Sequence, residues 1–321
     1  MQVGYKLATE GHDPKEIVEL GVHAEQAGFD FVELSDHYHP WLEEQGHSGF
    51  TWTMLGTLAA RTERIGLATG VTCPIIRYHP AVVAQAAATT ALLSDGRFTL
   101  GIGAGERLNE HVVGGGWPSV GVRHRMLVEA LEIIHRLFEG GYQSYDGQYL
   151  TLEDARVFDL PETPVPIAVA AGGPQAARLA ADKGDGLFVT EPEASLLETF
   201  REAGGTGPAY AEVPLAYGAS EEAAAEEAHR TSRWTLSGWK VMAELPNPVN
   251  FDAASGTVTL DDVRGQFSCG PDLDAHVEQA RPYVEAGYDR LVLMDVGPDA
   301  HGFLDVAGEQ LVDRVRALGR S

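Results

Sequence analysis

The chain is short of positive charge. Its 321 residues carry 23 Lys and Arg against 47 Asp and Glu, a formal charge of −24. With a pI near 4.7, its surface repels phosphate, which argues against a nucleic-acid binder or a partner of anionic membrane. Lysine is scarcer still: four lysines (Lys6, Lys15, Lys183 and Lys240) stand against nineteen arginines. That bias fits a surface suited to high salt, where self-repulsion is screened, and equally a GC-rich gene. Two cysteines, Cys73 and Cys269, build neither a disulfide framework nor a zinc ribbon. No apolar run approaches the roughly 18 residues of a spanning helix. The first residues lead into a strand-like segment rather than a signal peptide. These absences leave a cytoplasmic enzyme that acts on a small molecule, with no nucleic acid, membrane or metal expected.

What is present is 44% apolar residue content, enough for a large core. Apolar strand-length runs alternate with amphipathic helical stretches. Strands are expected at 3–7, 29–34, 65–70, 98–102, 166–170, 186–190, 213–217 and 291–295. Helices are expected at 14–28, 51–61, 80–93, 120–138, 174–183, 194–203, 221–239 and around 308–318. Asp13 reads as the cap of the first helix and Pro14 as its first residue. A hairpin with an Asp146-Gly147 turn is expected over 142–152. Eight buried runs separated by helices fit a (β/α)8 TIM barrel better than an open sheet. The whole chain, 1–321, reads as one such domain with insertions at its C-terminal face. The segment 237–266, with Pro246 and Pro248, reads as an irregular lid at the barrel mouth.

In such a barrel the chemistry lies where strands end. After the second strand come Ser35-Asp36-His37-Tyr38-His39-Pro40-Trp41. His37, next to the strand end, can exchange a proton near neutral pH. His39 and His47 read as loop residues, and Asp36 reads equally as a turn cap. The fourth strand ends in Gly103-Ala104-Gly105-Glu106, with Asn109 and Glu110 just beyond. Glu106 is a candidate acid or base there, or simply an acid favoured at a helix start. The run lacks the spacing of a dinucleotide fingerprint. Gly172-Gly173 opens a helix and suits either a phosphate or a plain tight turn. His37 and His39 have an H-x-H metal spacing, but no later strand end supplies further histidine ligands.

Together these stretches resemble the bacterial luciferase-like superfamily of flavin and deazaflavin enzymes. The likeness is densest to its dehydrogenases that use coenzyme F420, in particular the glucose-6-phosphate dehydrogenase branch. It is carried by Gly4-Tyr5-Lys6 with Glu10, Asp36-His37 through Pro40-Trp41, and Arg77-Tyr78-His79-Pro80. Gly103-Ala104-Gly105-Glu106 with Asn109-Glu110, and Ala170-Ala171-Gly172-Gly173-Pro174, complete it. The resemblance implies a homodimer with deazaflavin in the barrel mouth. Asp36, Gly70, Val71, Thr72, Cys73, Glu106, Asn109, Ala171, Gly172 and Gly173 would hold that cofactor. Gly70-Val71 would form a non-proline cis peptide behind its ring. His37 would be the base, Glu106 would protonate or stabilise the reduced ring, and Trp41 would stack beside the reacting carbon. Glu10, Trp41, Lys240 and Arg264 would face the substrate. Where that branch gathers basic residues for a sugar phosphate, this chain has Glu191-Pro192-Glu193. A neutral alcohol, sugar or hemiacetal is therefore expected ahead of a sugar phosphate, which stays open as the alternative. The rivals are an FMN-dependent monooxygenase, a methylene-tetrahydromethanopterin reductase and a non-catalytic cofactor carrier.

Overall fold

The computed structural model describes residues 1–319. The chain opens with β1 (Gln2–Leu7) and α1 (Pro14–Gln26), then β2 (Phe31–Leu34). Asp13 caps α1 by accepting from the N–H of Lys15 at 2.8 Å and of Glu16 at 3.2 Å, and Pro14 fills the first turn. Ile17, Val18, Leu20 and Ala24 make its buried face. Each large apolar side chain so buried stabilises the fold by roughly 1.5–3 kcal/mol. Next come α2 (Thr51–Arg61), β3 (Gly66–Thr69), α3 (Pro80–Leu93) and β4 (Phe98–Ile102). A short α4 (Arg107–Glu110) precedes the long α5 (Val120–Phe138).

A two-stranded hairpin of β5 (Gln143–Asp146) and β6 (Thr151–Ala155) lies outside the main sheet. Its connection is four residues long, 147–150, rather than the two-residue Asp146-Gly147 turn expected. Glu129 on α5 explains this: its carboxylate accepts from the N–H groups of Gln148, Tyr149 and Leu150 and holds the longer loop open.

The sheet resumes with β7 (Ile167–Ala170), α6 (Pro174–Lys183), β8 (Gly186–Val189), α7 (Ala194–Glu202) and β9 (Ala209–Ala216). The expected helix over 221–239 is shorter: α8 (Glu221–Ser232) gives way to a 3-10 turn over Arg233–Ser237. The expected irregular lid is largely helical, with α9 (Trp239–Met242), α10 (Pro248–Ser255) and α11 (Leu260–Gln266). Asn247 and Thr259 cap α10 and α11 with their side chains. A two-residue β10 (Ser268–Cys269) and the helix α12 (Leu273–Glu285) then lead to β11 (Arg290–Asp295). Neither β10 nor α12 was expected. The chain finishes with α13 (Ala300–Val306), a π-helical turn and α14 (Val312–Leu318).

Eight strands pair in parallel in the order β1-β2-β3-β4-β7-β8-β9-β11, and β11 returns to β1. The barrel is therefore closed and has no free edge. The main core lies between the barrel wall and the surrounding helices. Val3, Tyr5, Leu7, Leu291 and Leu293 contribute from two adjacent strands.

Candidate active site

Two buried charge networks underlie the barrel mouth. The first is inside the barrel. Lys6 donates to Glu33 Oε1 at 2.6 Å, to Glu212 Oε1 at 2.5 Å and to the Gly70 carbonyl at 2.8 Å, so all three ammonium protons are used. Burial opposes its charge, but Glu212 and Glu33 together hold Lys6 well above the usual lysine value. Burial pushes Glu33 the other way, toward the protonated acid, and its Oε2 has no partner. Gly70 must lack a side chain here: a Cβ would stand 1.9 Å from Glu33 Oε1. The Gly70–Val71 peptide is cis, as the resemblance implied.

The second network joins the loops that follow β2, β3 and β4. Arg77 donates through Nη2 to the Asp36 carboxylate at 3.1 Å and through Nε to Glu110 at 3.4 Å. Asp36 also accepts from the Thr72 hydroxyl at 2.7 Å and from the Tyr78 hydroxyl at 3.1 Å. Its carboxylate is thus committed to three protein donors. Burial pushes Glu110 up to about 7, although Arg77 opposes the shift. Gly105 has φ +70, and a Cβ there would meet the Cys73 sulfur at 2.5 Å. The Cys73 thiol is buried and raised, by burial first and then by Glu110 and Glu106, which leaves no thiolate nucleophile.

Above these networks the expected reactive side chains converge. His37 Nδ1 contacts Glu10 Oε1, and its Nε2 lies 4.0 Å from Glu106 Oε1. The contact with Glu10 assigns the proton to Nδ1 in the neutral ring, which leaves Nε2 as the acceptor. Burial alone pulls the His37 imidazole toward its neutral form. Glu10, and then Glu106, outweigh that and raise it above the ordinary histidine value. Burial likewise opposes the charge on Glu10, yet His37 holds Glu10 below the usual carboxylate range. Asn109 is fully buried; it donates to Glu106 and accepts from the N–H of Tyr38 at 2.7 Å and of His39 at 2.9 Å. It therefore ties the His37 loop to Glu106. The two histidines of the H-x-H spacing diverge, since His39 Nδ1 contacts the Leu108 carbonyl at 3.1 Å.

Trp41 forms the neighbouring wall. Its ring meets His37 edge-on at 5.0 Å and stacks on Trp234 at 4.0 Å with an 11° tilt. Phe251 closes the box at 5.1 Å, and Leu42, Leu108 and Met242 pack around it. On the far side of the mouth, Gly173 starts α6 with no side-chain cap, and no atom lies within 4 Å of where its Cβ would be. Gly172 has the Trp239 ring 3.5 Å from its Cβ position. The Ala171 N–H, expected at the cofactor, instead donates to the Phe188 carbonyl within the sheet at 2.9 Å.

One of the two cations expected at the substrate is committed elsewhere. Arg264 is paired with Glu221 at 3.3 Å and Asp261 at 3.0 Å, where α11 packs on α8. Lys240 is an exposed residue of α9. Conversely, the sequence reading assigned no role to Arg77, Glu110, Trp234, Lys6, Glu33 or Glu212. The signal for two of them was available: Lys6 and Glu33 are charges inside otherwise apolar strands, the mark of a buried ion pair.

The comparisons agree with this architecture. A family model for luciferase-like monooxygenases matches residues 1–290. An F420-dependent glucose-6-phosphate dehydrogenase of Nocardia farcinica is 36% identical over 333 aligned positions, covering 99% of each chain. One of the same description from Microbacterium testaceum is 36% identical, with 98% of each chain covered. The solved structure of an F420-dependent secondary alcohol dehydrogenase with an F420-acetone adduct superposes with a TM-score of 0.91 at 30% identity. That match covers 98% of this chain and 99% of the other. The coenzyme F420-dependent tetrahydromethanopterin reductase of Methanopyrus kandleri, at 22% identity and a TM-score of 0.78, shares the fold. The chain belongs to the luciferase-like monooxygenase family.

Proposed function

We propose that the protein is a coenzyme F420-dependent dehydrogenase that oxidises the CH–OH group of a neutral alcohol, sugar or hemiacetal. The observation that carries this reading is the buried Glu10–His37 pair, whose free Nε2 faces Glu106 beside Trp41. Its relatives named for F420-dependent alcohol and sugar-phosphate oxidation support it.

The donor set suits a deazaflavin. The uncapped first turn of α6, open at Gly173, offers backbone N–H groups to a phosphate-bearing tail. The Gly70–Val71 segment, Thr72 and Cys73 would line its ring. Bound there, deazaflavin supplies a two-electron acceptor that takes hydride from carbon. The protein's own task is to orient the alcohol and move one proton. His37 Nε2 takes the hydroxyl proton as the C–H hydride leaves, and Glu10 stabilises the imidazolium that forms. Glu106 stands across from Nε2 and would give or hold a proton beside the bound ring. Trp41 and Glu10 bound the space where the alcohol carbon sits.

Charge supports a neutral substrate. Lys6 and Arg77, the cations under the mouth, already serve two carboxylates each. Glu191 and Glu193 are exposed after β8. A dianion beside these carboxylates lacks an uncommitted buried counter-charge, which is unfavourable by several kcal/mol at low effective dielectric.

The test is His37→Ala. Turnover should vanish while binding of F420, followed by its fluorescence, stays close to wild type. Equal loss of both would make His37 structural, and tight binding of FMN in place of F420 would favour the monooxygenase reading.

The enzyme acts as a cytoplasmic homodimer. Both cysteines are free thiols, consistent with a reducing compartment. The outward faces of α2 and α3, which pack side by side, carry a single charge, Arg61 at the end of α2. Thr57, Ala60, Val82, Gln85, Thr89 and Leu93 line them on a chain of net charge −24. Leu93→Glu should convert the dimer to monomer in sedimentation.

A further inference from the structure

The reaction just described uses His37, Glu106, Glu10 and Trp41, and leaves Arg77 without a task. We propose that Arg77 is a positioning residue: it locks three loops together and thereby sets the base His37 against Glu106. The proposal rests on the reading of His37 as the base.

Asp36 immediately precedes His37, and Glu110 lies one helical turn after Glu106, with the Glu110 N–H bonded to the Glu106 carbonyl at 3.3 Å. Arg77, on the third loop, reaches both. Its Nη2 donates to the Asp36 main-chain carbonyl and, at 3.1 Å, to Asp36 Oδ1. Its Nε faces Glu110 Oε1 at 3.4 Å, and its own N–H donates to Glu110 Oε2 at 2.8 Å. One planar fork thus spans from the residue before the base to the residue four beyond the acid.

The fork is immobilised. The Arg77 side chain is 6% exposed, and those of Asp36 and Glu110 are 0% and 1% exposed. Tyr78 lies under the guanidinium, 4.5 Å from carbon to ring centre, and its hydroxyl holds the same Asp36 oxygen at 3.1 Å. Asn109 adds a second tie between the same loops. With both ties present, His37 Nε2 and Glu106 Oε1 stand 4.0 Å apart. Removing the fork frees the His37 loop to move against Glu106, and a misplacement of about 1 Å costs on the order of 100-fold in rate. A lysine cannot replace it, because a point charge does not satisfy a carbonyl and two carboxylates at fixed angles.

The test uses Arg77→Met and Arg77→Lys in the full enzyme with F420 and a secondary alcohol. For Arg77→Met, kcat should fall roughly 100-fold while KM and the F420 dissociation constant stay within about threefold. The acid limb of the kcat/KM profile should move, and Arg77→Lys should recover only part of kcat. A normal kcat, or a loss of kcat matched by an equal loss of F420 affinity, would overturn the proposal. If Arg77→Met does not fold, Glu110→Gln serves, since it keeps the shape and weakens the anchor. It should lower kcat more than F420 affinity, and unchanged turnover would count against the clamp. The two readings fail separately. An active His37→Ala enzyme would sink the function, whereas an inactive His37→Ala with an unimpaired Arg77→Met would sink this inference alone.

Discussion

Glu10→Gln isolates the charge that His37 works against. The side chains of Glu10 and His37 are 3% and 12% exposed, so solvent screens their contact little. A hydrogen bond to a charged group contributes roughly 1.5–3 kcal/mol net, and a neutral one about half that. Glutamine keeps the contact with Nδ1 and loses the charge, a deficit of roughly 1–1.5 kcal/mol. The same deficit applies to the imidazolium that forms as the alcohol loses its proton. At 1.36 kcal/mol per decade, kcat for oxidation should fall about tenfold. The acid limb of the kcat/KM profile should move to lower pH, because Glu10 no longer raises His37. Stability shows the same pair from another side. His37 is raised by folding, so its contribution is complete below the ordinary value of 6.5 and is lost as pH climbs through the folded value. Glu10 is lowered, so its contribution is complete above the ordinary value of 4.5 and is lost as pH falls. The variant should therefore lose most melting temperature between pH 4.5 and 6.5, by roughly 2–5 °C, and less at pH 8. An unmoved acid limb with unchanged kcat would refute both the role of His37 and its coupling to Glu10.

Three further outcomes follow from the surrounding shell. Lys6→Met strands Glu33 and Glu212 without a counter-charge, and breaking such a buried pair costs roughly 3–5 kcal/mol. The loss should be worse at pH 8 than at pH 6 in thermal melts, since the stranded carboxylates can then relieve themselves only by holding a proton. Gly70→Ala places a methyl 1.9 Å from Glu33 Oε1, so soluble yield and melting temperature should drop, and Glu33→Ala in the same chain should recover part of both. Trp234→Ala removes the ring stacked 4.0 Å from Trp41. The KM for alcohol should rise roughly two- to tenfold, the equivalent of about 0.5–1.5 kcal/mol, with F420 affinity nearly unchanged.

Much of the barrel was legible because its elements are specified locally. The bounds of α2, α3, β4, α5 and α6 coincide with the expected ones. α2, α5 and α6 have a periodic apolar face, α3 is apolar throughout and β4 is a short buried run; α3 and α6 are also marked at their starts by Pro80 and Pro174. Legibility fails between residues 233 and 285 and returns at β11 and α14. There α8 ends early, and α9–α11 form as short helices whose apolar residues, Met242 and Phe251, pack against Trp41 and Leu108 from the other half of the chain. Eight-residue helices are too short to persist on their own, so tertiary packing selects them. α12 was hidden by Pro282, which sits near its C-terminal end and reads as a helix breaker.

The candidate site divides in the same way. His37 and Glu106 were recognisable because a parallel barrel delivers every strand end to one rim and both follow strand ends, whereas places for Trp41 and Glu10 came only with the family resemblance. The sequence by itself therefore determined the closed barrel, the acidic composition and which side chains follow its strand ends. Only the tertiary structure decided which of them touch. Lys6 and Glu212 meet across 206 residues, with Glu33 beside them, because β2 pairs with β1 on one side and β9 stands one strand beyond it, across β11, on the other. Asp36 and Asn109, expected at the cofactor, have their side chains drawn into the ties that hold the loops. Local propensity carries no information about such pairs: a charge buried in a barrel is satisfied by whichever distant strand or loop the closed register places beside it.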